Sequence, residues 1–267
     1  MRHLNAIPRG HCSASRQTRI LLDRDCTQDR IPEASGTQAT DVVVVGAGIV
    51  GVTAACLLSQ AGLSVALVEA RRIGRQVTGR STAKITTQHS LIYRHLIESF
   101  SLKTAQCYAD ANRLDMDQIW QWVEQFGITC AFETKDAYVY CTNPTRLSDL
   151  EAEAEASRKV GLDSDVLDRA PLPFSSAGAL RSRNQAQFNP AQYLIGLAKA
   201  TEAAGAKIFE ETRVTSVEEN EGWQVRAGQA SIHTQERGVS NQPTYRRSYF
   251  LRRTHSASVA YCYGFSY

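Results

Sequence analysis

The chain lacks any uninterrupted apolar run of the ~18 to 20 residues that a helix needs to span a bilayer. Its most apolar stretch, residues 42–58, is broken by Gly46, Gly48 and Gly51. No integral membrane segment is therefore expected. Cysteine pairs at metal-ligand spacing are missing as well. The seven cysteines, at 12, 26, 56, 107, 130, 141 and 262, are odd in number and scattered. That sets aside both a disulfide scaffold and a bound metal, and makes a reducing cytoplasm the expected compartment. Charge of one sign is scarce too, with 30 Lys+Arg against 27 Asp+Glu in 267 residues. What remains, 43% apolar and 21% charged, is enough chain and enough hydrophobic material for a real core.

The small net charge of +3 is unevenly spread. Residues 1–40 carry six Arg and four acids with only Ile20, Leu21 and Leu22 as an apolar cluster, too short for a secretory signal. Asp23, Asp25, Asp29 and Glu33 argue against an organellar transit peptide, so a flexible leader is expected. From Ser231 the composition changes. Five of the ten tyrosines (245, 249, 261, 263 and 267) and two Arg pairs fall there without a helix or strand period. Interleaved Arg and Tyr can stack on and neutralise RNA. The acidic balance of the central block supplies no supporting basic surface, and no nucleic-acid partner is expected.

The informative stretch begins at Asp41. Val42 to Val45 is a β-branched run suited to a strand covered on both faces. Gly46-Ala-Gly48-Ile-Val-Gly51 follows at once, then helix formers up to Ala61 with Gly62 as a stop, then a second strand from Leu63 to Glu69. In such a β-α-β unit the first glycine permits the tight turn and the second lets backbone approach a pyrophosphate. The third allows close helix–strand packing. The helix turns its free N–H groups and positive dipole end toward the phosphates. Glu69, 18 residues past Gly51, stands where a carboxylate accepts hydrogen bonds from ribose hydroxyls and repels a 2′-phosphate. NAD and FAD both satisfy that pattern.

After Glu69 come Ala70, Arg71, Arg72 and Gly74, then Thr78-Gly79-Arg80-Ser81-Thr82-Ala83-Lys84 and Thr86-Thr87-Gln88-His89. With its glycine- and hydroxyl-rich loop, this segment resembles the FAD-dependent oxidoreductases of the D-amino-acid oxidase superfamily. It is nearest the glycine/D-amino-acid oxidase type and the subgroup whose longer members end in a Rieske domain; no Cys/His ligand set for such a cluster is present. The resemblance implies FAD as cofactor, held by Gly46, Gly48, Gly51, Glu69, Ala70, Arg71, Thr78, Gly79, Ser81, Thr82 and the backbone of Val214. It implies a small amine or amino acid as substrate, hydride transfer from its α-carbon to flavin N5, and an electron acceptor that the residues do not identify. Lys84 and His89 follow the diphosphate loop directly and are the candidates for the flavin side; each is otherwise a loop residue bonded to backbone. A non-catalytic dinucleotide-binding fragment and an NAD-linked oxidoreductase are the alternatives.

The implied fold is α/β: a Rossmann-like FAD-binding domain with an inserted α+β substrate domain, both incomplete. The expected division is a leader over 1–40, FAD-binding segments over 41–90 and 187–234, a partial substrate domain over 91–186, and an aberrant tail over 235–267. Within the insert, Lys103 to Phe126 reads as a helix with its two tryptophans, Trp120 and Trp122, as core anchors, and Ala137 to Cys141 as a strand. A helix capped by Asn143 or Thr145 and running to Val160 carries Glu151, Glu153 and Glu155, read as a solvated face. Asn189 and Pro190 read as the cap and first residue of a helix closed by Gly205, with a parallel strand at 206–209. Beyond the hairpin at 222–234, Gln235 to Pro243 is poor material for the central strand that relatives place there. A truncated or frameshifted gene product with impaired oxidase activity is the expectation.

Overall fold

The computed structural model describes residues 32–74, 81, 84–220, 222–234 and 239–240. The leader before residue 32 and the tail beyond 240 lie outside the described residues, as do Thr78, Gly79 and Thr82 of the expected diphosphate loop.

The valine run forms β2 (Val42–Val45), and the glycine turn leads into α1 (Ile49–Gln60) and back into β3 (Val65–Val68). β2 and β3 pair in parallel from Val42↔Val65 to Val45↔Val68. Both faces of this pair are covered, which is why neither strand alternates polar with apolar. Val42, Val44, Val65 and Leu67 pack with Val52, Ala55 and Cys56 of α1, while Val43, Ala66 and Val68 pack toward Val225 and Ile232. At the end away from the glycines, Asp41 Oδ2 accepts from Ser64 N (2.8 Å) and Ser64 Oγ (2.6 Å), clamping the two strand starts. Those serine bonds hold the Asp41 carboxyl below the usual range.

The chain then enters a second sheet. β4 (Lys84–Ile85) pairs antiparallel with a later strand, followed by α2 (Ile92–Ser99), α3 (Leu102–Gln125), β5 (Glu133–Cys141), α4 (Leu147–Lys159), β6 (Ser164–Leu167) and β7 (Gly178–Gln187). β7 is central: β4, β5 and β6 all pair with it, and α4 packs on one face through Leu150 and Ala154 against Leu180. Lys84 and Ile85 thus already belong to the inserted sheet, ahead of the expected boundary at 91. The tryptophans part company. Trp122 is buried as expected, whereas Trp120 is 46% exposed and rests on Phe132. Glu151 and Glu155 are exposed, but Glu153 between them is fully buried, contrary to the solvated face read from the sequence. Leu150, Glu153, Ala154 and Ser157 share the i, i+3, i+4, i+7 stripe that faces inward, and helical geometry decides the matter over residue type.

Return to the first sheet is through α5 (Pro190–Ala203), which packs on α1, and β8 (Lys207–Phe209), parallel to β3. Asn189 Oδ1 accepts from Ala191 N and Gln192 N, both at 3.1 Å. Asn189→Ala is expected to cost about 1 kcal/mol through the two unsatisfied amides. A thermal melt should record that as a fall of roughly 2 to 4 °C.

β9 (Val214–Asn220), β10 (Gly222–Ala227) and β11 (Gln229–Thr234) form an antiparallel meander. Two expectations are corrected here. The last six residues of the presumed leader are β1 (Ser35–Thr40), parallel to β11 from Ser35↔Gln229 to Thr40↔Thr234. Polar SGTQAT carries no strand pattern, but an edge strand is held by backbone pairing and needs none. Second, β12 (Val239–Ser240) sits parallel to β2 at Val239↔Val44 and Ser240↔Val45. The parallel sheet therefore runs β12-β2-β3-β8, and its closing position is filled within a stretch read as unsuitable for a strand. Two residues suffice for that pairing.

Candidate functional site

β2 ends in a turn that only glycine makes without strain. Gly46 has φ +98° and its N–H donates to Val68 O at 2.7 Å, tying the turn to β3. Gly48 is the extended N-cap of α1 (φ −78°, ψ −179°), with no side-chain cap bond and no acid in the first turn. Gly51, one turn in, faces back across the turn. A β-carbon there would overlap the carbonyl oxygen of Gly46, so the third glycine is required by packing. All three glycines stand where the sequence placed them relative to strand and helix.

Glu69 follows β3 and is 7% exposed. Its Oε2 accepts from Ala47 N at 2.9 Å and its Oε1 from Arg71 N at 2.8 Å, so the carboxylate bridges the glycine turn to the segment beyond β3. Its own backbone is fixed, with N donating to Phe209 O and O accepting from Thr212 N, each at 2.8 Å. Each carboxylate oxygen keeps a second lone-pair direction for a hydroxyl donor. Ala70 is partly exposed and Arg71 exposed. Val214 opens β9 and packs with Val43 and Phe209 in the cluster under the sheet. Ser81 is exposed.

One residue of this region carries no motif and was not read from the sequence. Glu210, just past β8 and 8% exposed, accepts from Ile73 N at 2.8 Å. With Glu211 N donating to Arg71 O, it pins residues 71–73 against the end of the sheet. Only its position after a short apolar strand signals it.

Lys84 and His89 are both exposed, at the ends of a short segment leaving β4. His89 Nδ1 lies 2.9 Å from Tyr108 Oη, and the two rings meet edge to face. Partial burial, aided by the Lys84 cation, pushes the His89 imidazole down, so the neutral ring is favoured. Between them Thr86, Thr87 and Gln88 turn inward and are buried. Burial also pushes the Tyr108 phenol up, which keeps it protonated.

This arrangement offers the positive end of a helix with glycine at its N-cap and a buried acid beside it. That donor set fits the diphosphate and ribose of a dinucleotide. Among the described residues no helix is long and apolar enough to cross a membrane.

Residues 41–242 match the family of FAD dependent oxidoreductases designated DAO, a span that includes β12. The Rieske 2Fe-2S iron-sulfur protein YhfW of Bacillus subtilis is 37% identical over 181 residues, 68% of this chain and 36% of that protein. Gamma-glutamylputrescine oxidoreductase of Escherichia coli is 25% identical over 72% of this chain and 46% of its own length. Among solved structures, glycine oxidase from Geobacillus kaustophilus superposes with a TM-score of 0.59 at 19% identity, covering 76% of this chain and 55% of that one. The chain thus spans between a third and a half of the curated relatives it matches. Motif, sheet order and family match agree over the same residues, and the chain belongs to the DAO family of FAD-dependent oxidoreductases.

Proposed function

We propose that this chain binds FAD along the glycine turn and supports flavin-dependent oxidation of a small amine or amino acid, in the cytoplasm. The observation that carries the reading is the conjunction of a glycine N-cap on α1, a Gly51 that tolerates no β-carbon, and Glu69 bridging the turn. The first-turn amides of α1 and Gly48 would hold the diphosphate, and Glu69 the adenosine ribose. When bound, FAD supplies a hydride acceptor for the carbon bearing the substrate nitrogen; the nitrogen releases a proton and water hydrolyses the resulting imine. The protein's part is to bind, orient and exclude water. His89, neutral and fixed on Tyr108, with Lys84 nearby, would form the substrate-side wall. The relative acting on gamma-glutamylputrescine supports an amine-bearing substrate.

The test is titration of the purified chain with FAD, read by flavin fluorescence, beside the Gly48→Glu variant. A carboxylate side chain at the N-cap meets two phosphate charges, and affinity is expected to fall at least about a hundredfold with little change in melting temperature. Equal affinity in the two proteins would refute the site. Binding of NADH in place of FAD would move the chain to a nicotinamide-linked chemistry.

A further inference from the structure

Away from the glycine turn, buried polar groups gather around Glu153. Its side chain is fully buried on α4, and among the described residues the donors bonded to it are three N–H groups. Oε1 accepts from Gln88 Nε2 (2.7 Å) and Tyr93 N (2.9 Å), and Oε2 from Arg94 N (2.9 Å). Tyr93 and Arg94 are in the first turn of α2, whose N-cap, Leu91, makes no side-chain cap bond. Glu153 therefore caps α2 from another helix, and the positive end of that helix compensates the buried charge.

The same carboxylate anchors the segment between β4 and α2. Gln88 spends its whole amide inside: Nε2 also donates to Ser90 O (2.6 Å), and Oε1 accepts from Ser157 Oγ (3.1 Å). Thr87 N donates to Gln185 Oε1 of β7 at 2.6 Å, and Tyr93 Oη donates to Thr87 O at 2.5 Å. Three elements thus converge on a few polar residues that water would solvate without cost at a surface. A fully bonded buried network of this kind enforces one conformation. The residue it leaves turned outward, next after Gln88, is His89, with its ring on Tyr108.

We infer that Glu153 is a positioning residue: through Gln88 and the first turn of α2 it fixes the 86–90 segment so that His89 is presented in one orientation to the substrate side of the flavin. The final clause rests on the flavoprotein reading above; the positioning does not. In Glu153→Gln the shape is kept, but an NH2 group faces an N–H donor, and the network cannot close.

The experiment uses the full chain with 15N-imidazole histidine, in parent, Glu153→Gln and Tyr93→Phe forms, with circular dichroism to check folding. The parent is expected to show a single His89 tautomer. Folded Glu153→Gln should show mixed tautomers at His89 alone among the six histidines. Tyr93→Phe, which loses only the bond to Thr87 O, should show a smaller version and serves if Glu153→Gln does not fold. An unchanged His89 signal in a folded variant overturns the inference. FAD bleaching by racemic alanine or putrescine, measured anaerobically, should slow by about tenfold to a hundredfold in Glu153→Gln at unchanged FAD affinity. Altered tautomers with unaltered bleaching would overturn the flavin-facing clause while leaving the positioning. A parent that binds no FAD would sink the flavoprotein reading, and the tautomer signal would still decide the positioning.

Discussion

Gly51→Ala is expected to abolish measurable FAD binding and to destabilise the protein by about 4 kcal/mol, a fall of roughly 8 to 16 °C in a thermal melt. The added methyl would overlap the carbonyl oxygen of Gly46, a backbone atom, and also meet Val44 Cγ1 at 3.6 Å. Gly46 cannot swing away. Its φ of +98° is set by the turn, and its N–H is bonded to Val68 O across the sheet. The helix must therefore lift, moving the very amides that would face the diphosphate, and the buried contacts of Val52 and Ala55 are loosened with it. Gly62→Ala is the control. That glycine also has positive φ (+86°), but nothing lies within 4 Å of its added carbon. It should lose only the ~1 to 2 kcal/mol of left-handed backbone strain and keep FAD affinity. Circular dichroism melts and flavin titration of both variants separate steric displacement from strain. Coincident melts for Gly51→Ala and the parent would mean that α1 does not lie against the turn as described.

The β-α-β unit was legible because each step in it has a local cause. Consecutive valines specify a strand covered on both faces, glycines specify the turn, and Gly62 ends the helix within its own neighbourhood. Asn189 and Pro190 were legible for the same reason, since a cap is a matter of adjacent residues. What stayed hidden depends on partners far along the chain. β1 pairs with residues 229–234, nearly 200 positions away, and its SGTQAT sequence has no pattern to betray it. β12 exists because β2 offers an unpaired edge; its own sequence argues for a loop. Glu153 lies between these cases. Its place on the stripe with Leu150, Ala154 and Ser157 was readable, but a carboxylate on a buried stripe makes sense only once α2 is seen to bring its uncapped amides there. At the proposed cofactor site the pattern located Glu69, yet not that Ala47 N and Arg71 N already occupy one lone pair on each of its oxygens.

Those two bonds make Glu69 the residue whose loss should be felt in both stability and binding. In Glu69→Ala, Ala47 N is left buried without an acceptor, since Ala47 is 2% exposed, and an orphan amide of that kind costs about 1 to 3 kcal/mol. Arg71 is exposed, so its N–H can turn to water at little cost. Affinity for FAD is expected to fall about a hundredfold as both the ribose acceptor and the turn's anchor go. Glu69→Gln keeps one oxygen and should fall about tenfold, because an amide NH2 then opposes one of the two backbone donors. Ligands that share only part of FAD separate the two roles. ADP carries the adenosine ribose and should lose affinity in parallel with FAD, whereas FMN lacks it and should bind parent and variants alike. If Glu69→Ala held ADP as tightly as the parent while its melting temperature dropped, the acid would be a strut for the glycine turn and not a ribose ligand. The discrimination between ribose and 2′-phosphoribose would then have to come from elsewhere along residues 69–74.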